Sequence, residues 1–188
     1  MIKAFLLFIL ISLTFQPATG IDKEEAQKAF LLLNSIRTNP QSFTTGMEFL
    51  KDVKAMPQLK WNDTLAKVAE AKALDMATRN YFGHVDPDGY GMNYFINKAG
   101  YKLEAAWISS KELNYFESLG AGAKSGEAAI RSLIIDANTP SLGHRKHLLG
   151  IDRWNAPMTD IGIGFARPSV AGSSYKTYVC ILIARHRW

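Results

Sequence analysis

Tyr175-Lys176-Thr177-Tyr178-Val179-Cys180-Ile181-Leu182-Ile183-Ala184 is the stretch that decides the fold class. Its β-branched and aromatic content reads as a strand. The second half is apolar at every position, whereas a strand with one wet face alternates, so both faces are expected to be covered. Asp160-Ile161-Gly162-Ile163-Gly164-Phe165-Ala166 alternates apolar residues with glycine, which suits a strand running close against another element.

What covers these strands is read from the rest of the chain, which is rich in amphipathic helix. Ala26, Phe30, Leu33 and Ile36 recur at helical spacing over Lys23 to Ile36, with Glu24 and Glu25 in the first turn and Asn39-Pro40 as the stop. Gln41 to Leu50 reads as a short second helix. The clearest helix runs from Thr64 to Asn80, with Asn62 or Asp63 as N-cap and an inner stripe of Leu65, Val68, Ala69, Lys72, Ala73 and Met76. Gly91 to Ala99, Gly126 to Asp136 and His144 to Leu149 follow, with Gly100 and Gly150 as stops. Leu103 to Ile108 and Leu113 to Leu119 read as irregular or strand-like. Helices on each side of a small sheet are the expected architecture.

The first twenty residues stand apart. Lys3 gives a positive start, Ala4 to Phe15 is mostly apolar, and Ala18-Thr19-Gly20 offers small residues before Ile21. That run is too short to span a bilayer and suits a secretion signal, so residues 21–188 are expected to form one exported, secreted or periplasmic domain without a membrane span. The formal charge of +5 falls by one on removal of Lys3. Lys and Arg are scattered, and no basic arm points to nucleic acid. The single cysteine, Cys180, excludes an internal disulfide and reads as a small buried hydrophobe.

Three separated segments each present an ionisable side chain. Phe82-Gly83-His84-Val85-Asp86-Pro87-Asp88-Gly89 places His84 at a helix end beside a turn in which Pro fixes φ, Gly permits positive φ and Asp bonds its own backbone. His84 reads either as a surface or capping histidine or as a metal ligand or proton carrier. Phe116-Glu117-Ser118-Leu119-Gly120 sets Glu117 among apolar neighbours, where a carboxylate needs a partner: a histidine, a cation, a backbone amide or an Arg. Ser141-Leu142-Gly143-His144-Arg145 carries His144, and His147 lies one helical turn on. His144 is expected to be functional and His147 structural. No Gly-x-Ser-x-Gly elbow, phosphate loop or Cys-x-x-Cys site occurs, and Cys180 has no neighbouring base.

Taken in order, these segments resemble the CAP superfamily (SCP domain; cysteine-rich secretory proteins, antigen 5 and pathogenesis-related 1), in its bacterial secreted branch. The resemblance runs from Leu33-Asn34-Ser35-Ile36-Arg37 to the final strand and includes Leu59-Lys60-Trp61-Asn62. Glu117-Ser118-Leu119 stands for the family's Glu-Asn-Ile, and Ser141-Leu142-Gly143-His144-Arg145 for its Ser-Pro-Gly-His-Arg. It implies an α/β fold, a three-layer α-β-α sandwich with a small, mainly antiparallel sheet. It also implies a central cleft lined by two histidines, His84 and His144, and two acids. Glu117 carries over as the first acid. For the second, Ile134-Ile135-Asp136-Ala137-Asn138 offers only Asp136, with an apparent insertion before His144. The histidines are then the expected ligands of a divalent cation such as zinc. An apolar groove is expected to take a lipid-like or other small or envelope-derived ligand. The first functional reading is a non-enzymatic binding module. The alternative is a metal-assisted hydrolase of peptides or cell-envelope material, with Glu117 as general base. A third is a structural or host-interaction protein whose cleft only supports the fold.

Overall fold

The computed structural model describes residues 20–137, 139–169 and 172–186. The proposed signal segment, residues 1–20, lies outside them except for Gly20. Among these residues five strands, β1 (Gly20–Ile21), β2 (Lys60–Trp61), β3 (Glu117–Ala121), β4 (Asp160–Arg167) and β5 (Tyr178–Ala184), form one sheet. β5 lies between β3 and β4, both antiparallel to it. The far side of β4 is shared: β1 pairs antiparallel with its end, and β2 pairs parallel with its start.

Helices cover both faces. α2 (Asp63–Arg79) packs across β4 and β5, with α3 (Met92–Lys98) beside it. On the other face, α1 (Lys23–Thr38), α4 (Gly126–Ile135) and α5 (Gly143–Leu149) pack on one another and on the sheet. The result is the three-layer α-β-α sandwich. Every residue of β5 is buried, as its unbroken apolar run requires. Gly162 and Gly164 supply the close approach that their alternation implied. A Cβ at Gly162 would lie 2.1 Å from the Ala66 nitrogen, and one at Gly164 would lie 2.2 Å from the Ala69 carbonyl oxygen. The helix therefore sits directly on the strand backbone.

Local signals set most boundaries. Asp22 and Asn62 cap α1 and α2 through their side chains, and Asn80 ends α2 in the left-handed conformation. The stretch Gln41 to Leu50 differs from expectation. It forms two 3₁₀ segments, Pro40–Phe43 and Glu48–Asp52, separated at Gly46, whose φ of 72° interrupts a continuous helix. Residues 105–108 form a further 3₁₀ turn, and β5 begins at Tyr178 rather than Tyr175.

Arg37 joins the helical layer at depth. It is buried, and its guanidinium donates to the Leu148 carbonyl at 2.7 Å and to the Pro57 carbonyl at 3.2 Å. Burial lowers its pKa to about 10. The carbonyls at the end of α5 supply the negative potential that this cation needs.

Candidate functional site

The loop after α2 delivers His84. Asp86 holds that loop, accepting from the backbone N–H groups of Asp88 (2.9 Å) and Tyr90 (2.8 Å), while Gly89 donates to the Asp86 carbonyl. Arg79 pins Asp88 at 2.7 Å. The His84 carbonyl is held by the ammonium of Lys72, at 3.4 Å. The ring itself is half exposed.

Glu117 opens β3, where its backbone is paired with Leu182 of β5. Its side chain is fully buried and gathers three donors. His84 Nδ1 lies 2.7 Å from Oε2, Asn114 Nδ2 lies 2.6 Å from the same oxygen, and the Cys180 thiol lies 3.5 Å from Oε1. The carboxylate fixes the Asn114 amide. Reversing it would set two acceptors face to face, so its carbonyl oxygen, Oδ1, is left buried without a partner, the one such side-chain atom among the described residues. An orphan acceptor costs about 1–3 kcal/mol, which orienting Glu117 must outweigh.

His144 is placed by the joint between α4 and α5. Asp136 ends α4 at φ 50° and buries its carboxylate against the start of α5. Oδ2 accepts from the His144 backbone N–H at 3.0 Å and more weakly from that of Arg145 at 3.3 Å. Oδ1 lies 2.8 Å from His144 Nδ1. Burial works to raise the Asp136 pKa, but the bonds from His144, the Arg145 backbone and Thr139 outweigh it, and the net shift is downward.

His84, Glu117 and His144 line one cavity of about 340 Å³. The two imidazoles are held alike: each Nδ1 faces a buried carboxylate oxygen, so a neutral ring that donates from Nδ1 presents Nε2 as its acceptor. This is the outer-shell arrangement that orients metal-bound histidine. No group of three or more His, Cys, Asp or Glu side chains among the described residues is disposed around one point. Among the described residues these side chains therefore do not make a closed four-ligand site. His147 faces the same cavity but is engaged in structure. Its Nδ1 lies 2.7 Å from the Ser118 hydroxyl, and Nε2–H points to the Ile183 carbonyl at 3.5 Å. Burial lowers its pKa to about 4, so it is neutral at physiological pH.

A second cavity, of about 500 Å³, opens between α2 and α3. Val68, Ala71, Met92 and Phe95 give it apolar walls, and its charged rim is mixed, with Lys67 and Lys98 set against Asp75 and Asp86. Lys72 also faces it. Its buried ammonium donates to the Tyr81 hydroxyl at 3.1 Å.

The structure thus brings Asp136, the candidate second acid, onto His144. The roles of Asn114, Tyr115, Ser118 and Trp154 around the cleft had no signal in the sequence, because each depends on a partner distant in the chain or on loop placement.

Residues 31–182 match the model of the CAP, or cysteine-rich secretory protein, family. The chain is 31% identical over 112 residues to the uncharacterized protein YkwD of Bacillus subtilis, an alignment covering 60% of this chain and 36% of YkwD. It is similar to the crystal structure of an extracellular protein containing an SCP domain from Bacillus anthracis, with 25% identity, a TM-score of 0.56, and coverage of 87% of this chain and 41% of that one. An outer surface protein of Borrelia burgdorferi shares the fold at 17% identity and a TM-score of 0.58, over 90% of this chain and 99% of its own. The chain spans well under half the length of either Bacillus protein. No helix among the described residues is long and apolar enough to cross a membrane.

Proposed function

The chain belongs to the cysteine-rich secretory protein (CAP) family, and from that premise we propose that it works outside the cytoplasm as a binding module. In this reading residues 1–20 are a cleaved export signal and residues 21–188 the mature domain. His84 and His144 hold a divalent cation such as zinc through Nε2, with Glu117 and Asp136 as the carboxylates that orient them. The groove between α2 and α3 accepts a lipid-like ligand along its apolar walls.

The observation that carries the cation site is the matched pair of Nδ1–carboxylate contacts, 2.7 Å at His84 and 2.8 Å at His144, in side chains that line one cavity. The same geometry favours binding over hydrolysis. A base that activates a metal-bound water must reach that water. Glu117 is fully buried and already receives three donors, and Asp136 is held by two backbone amides and a ring nitrogen.

Zinc titration by calorimetry tests the reading. Saturable binding is expected in the wild-type chain and its loss in the His84→Ala, His144→Ala double variant. Equal binding by both proteins would remove the site.

A further inference from the structure

One wall of the cleft is aromatic. Tyr115 and Trp154 both line it, and each is 43% exposed. Trp154 is not a loose surface side chain. It stacks on Phe116 with ring centres 6.1 Å apart and planes at 22°, and it meets the edges of Trp107 at 5.6 Å and Tyr115 at 6.1 Å. Phe116 is fully buried and Trp107 nearly so. The core therefore fixes the indole in place while a large part of it stays in water. Fixed aromatic surface left partly in water beside a cavity offers a ligand apolar burial.

The rest of the cleft is polar in a specific way. Ser141 brings a hydroxyl, Thr139 one that already donates to Asp136 and can still accept, and His84 and His144 bring ring nitrogens not used by their carboxylates. Asn155 donates its amide NH2 to both Asp152 oxygens at 3.0 Å, which turns its carbonyl oxygen away from Asp152. A ligand that suits this surface has one apolar face and a rim of hydroxyls. A purely apolar ligand would strip water from the hydroxyls and ring nitrogens without replacing their bonds. An organic cation would find both carboxylates already engaged.

We propose that Trp154 and Tyr115 form the stacking platform for a pyranose ring of an oligosaccharide, with the cleft's hydroxyls and ring nitrogens taking the sugar's hydroxyls. An aromatic ring on the C–H face of a pyranose gains apolar burial with little entropy cost, because the Trp154 stack is already fixed. The cavity of about 340 Å³ has room for one ring and its substituents. This inference rests on the cleft being a ligand site and does not require the cation.

Calorimetric titration of the full chain with chitotriose and, separately, cellotriose, in the presence of a chelator, tests it. The two sugars share the pyranose face and differ in the N-acetyl group, so the arms separate an acetylated ligand from a plain one. Saturable binding of at least one is expected. Trp154→Ala should weaken it roughly tenfold or more, and Trp154→Phe should stay within about threefold of wild type. Thermal melts confirm that the variants fold. Should Trp154→Ala fail to fold, Tyr115→Ala and Trp154→Phe carry the comparison, with weaker binding expected for the former. Absence of binding by either sugar at millimolar concentration would overturn the proposal. So would a folded Trp154→Ala, or in its place Tyr115→Ala, that binds as tightly as wild type. Because chelator is present throughout, failure of the zinc titration leaves this result unaffected.

Discussion

Asp136 binds His144 at two points: one carboxylate oxygen takes the backbone N–H at 3.0 Å and the other the ring Nδ1 at 2.8 Å. The residue that ends α4 thereby fixes both the start of α5 and the direction of its imidazole. Asp136→Asn should destabilise the fold by about 1–3 kcal/mol at pH 7, since the neutral amide loses the charge-assisted bonds and can meet Nδ1 only as a donor, which forces the other tautomer on His144. The pH dependence has a definite sign. The folded pKa lies below the ordinary carboxyl value, so the wild-type advantage is complete above that ordinary value and fades as pH falls through the folded one. Denaturant melts of both proteins at neutral and strongly acidic pH should converge at the acid end. A gap that stays constant would contradict the assigned contacts.

His147 has a separate window. Its folded pKa of about 4 lies below the ordinary histidine value of 6.5, so the unfolded chain binds the proton more readily between those two values. Stability must rise with pH across that window, by roughly 3 kcal/mol for a shift of this size. His147→Gln removes the titrating group while keeping an amide near Ser118 and Ile183. It should flatten the slope across that window relative to wild type, and parallel slopes would show that His147 is not buried neutral.

Secondary structure is largely legible in the sequence because its causes are local. Asn62, Asn80 and Gly150 mark helix ends by cap chemistry, and the apolar run of β5 announces burial on both faces. The Asp86 turn likewise bonds its own backbone as its composition demands. The site is half legible. His84, Glu117 and His144 stand out as ionisable residues in unusual settings, and Asp136 stands out as a candidate acid, but the pairing of each histidine with its own carboxylate does not. Asp136 reaches His144 only because its own left-handed conformation reverses the chain, and nothing in residues 134–138 specifies that. Asn114 and Cys180 meet Glu117 through sheet register and loop packing, which are tertiary facts. Gln41 to Leu50 reads as one short helix, yet Gly46 takes a positive φ that separates two 3₁₀ turns there.

Gly164 offers a test of how the layers fit. A methyl group there would sit 2.2 Å from the Ala69 carbonyl oxygen and 2.4 Å from the Glu70 nitrogen, both helix backbone. Neither atom can move without displacing α2 from the sheet. Gly164→Ala should therefore cost about 3 kcal/mol, at the upper end of overpacking effects, and lower the urea midpoint accordingly. Gly172→Ala is a control of a different kind: nothing lies near its Cβ position, and its strain comes only from φ of 89°. It should cost no more than about 1–2 kcal/mol. If Gly164→Ala proved the milder of the two, the contact between α2 and β4 would be looser than described.

Cys180 is fully buried in β5, with its thiol 3.5 Å from Glu117 Oε1. Burial, and then the adjacent carboxylate, push its pKa well up. The thiolate is the reactive form, so the native chain should resist alkylation at mildly alkaline pH and react only on unfolding. Cys180→Val fills the same space without a donor. It should fold, losing about 1 kcal/mol or less from the missing weak bond. A native thiol that reacts as fast as a free one would place Cys180 away from the apolar interior, and Glu117 would then lose the donor that holds its second oxygen.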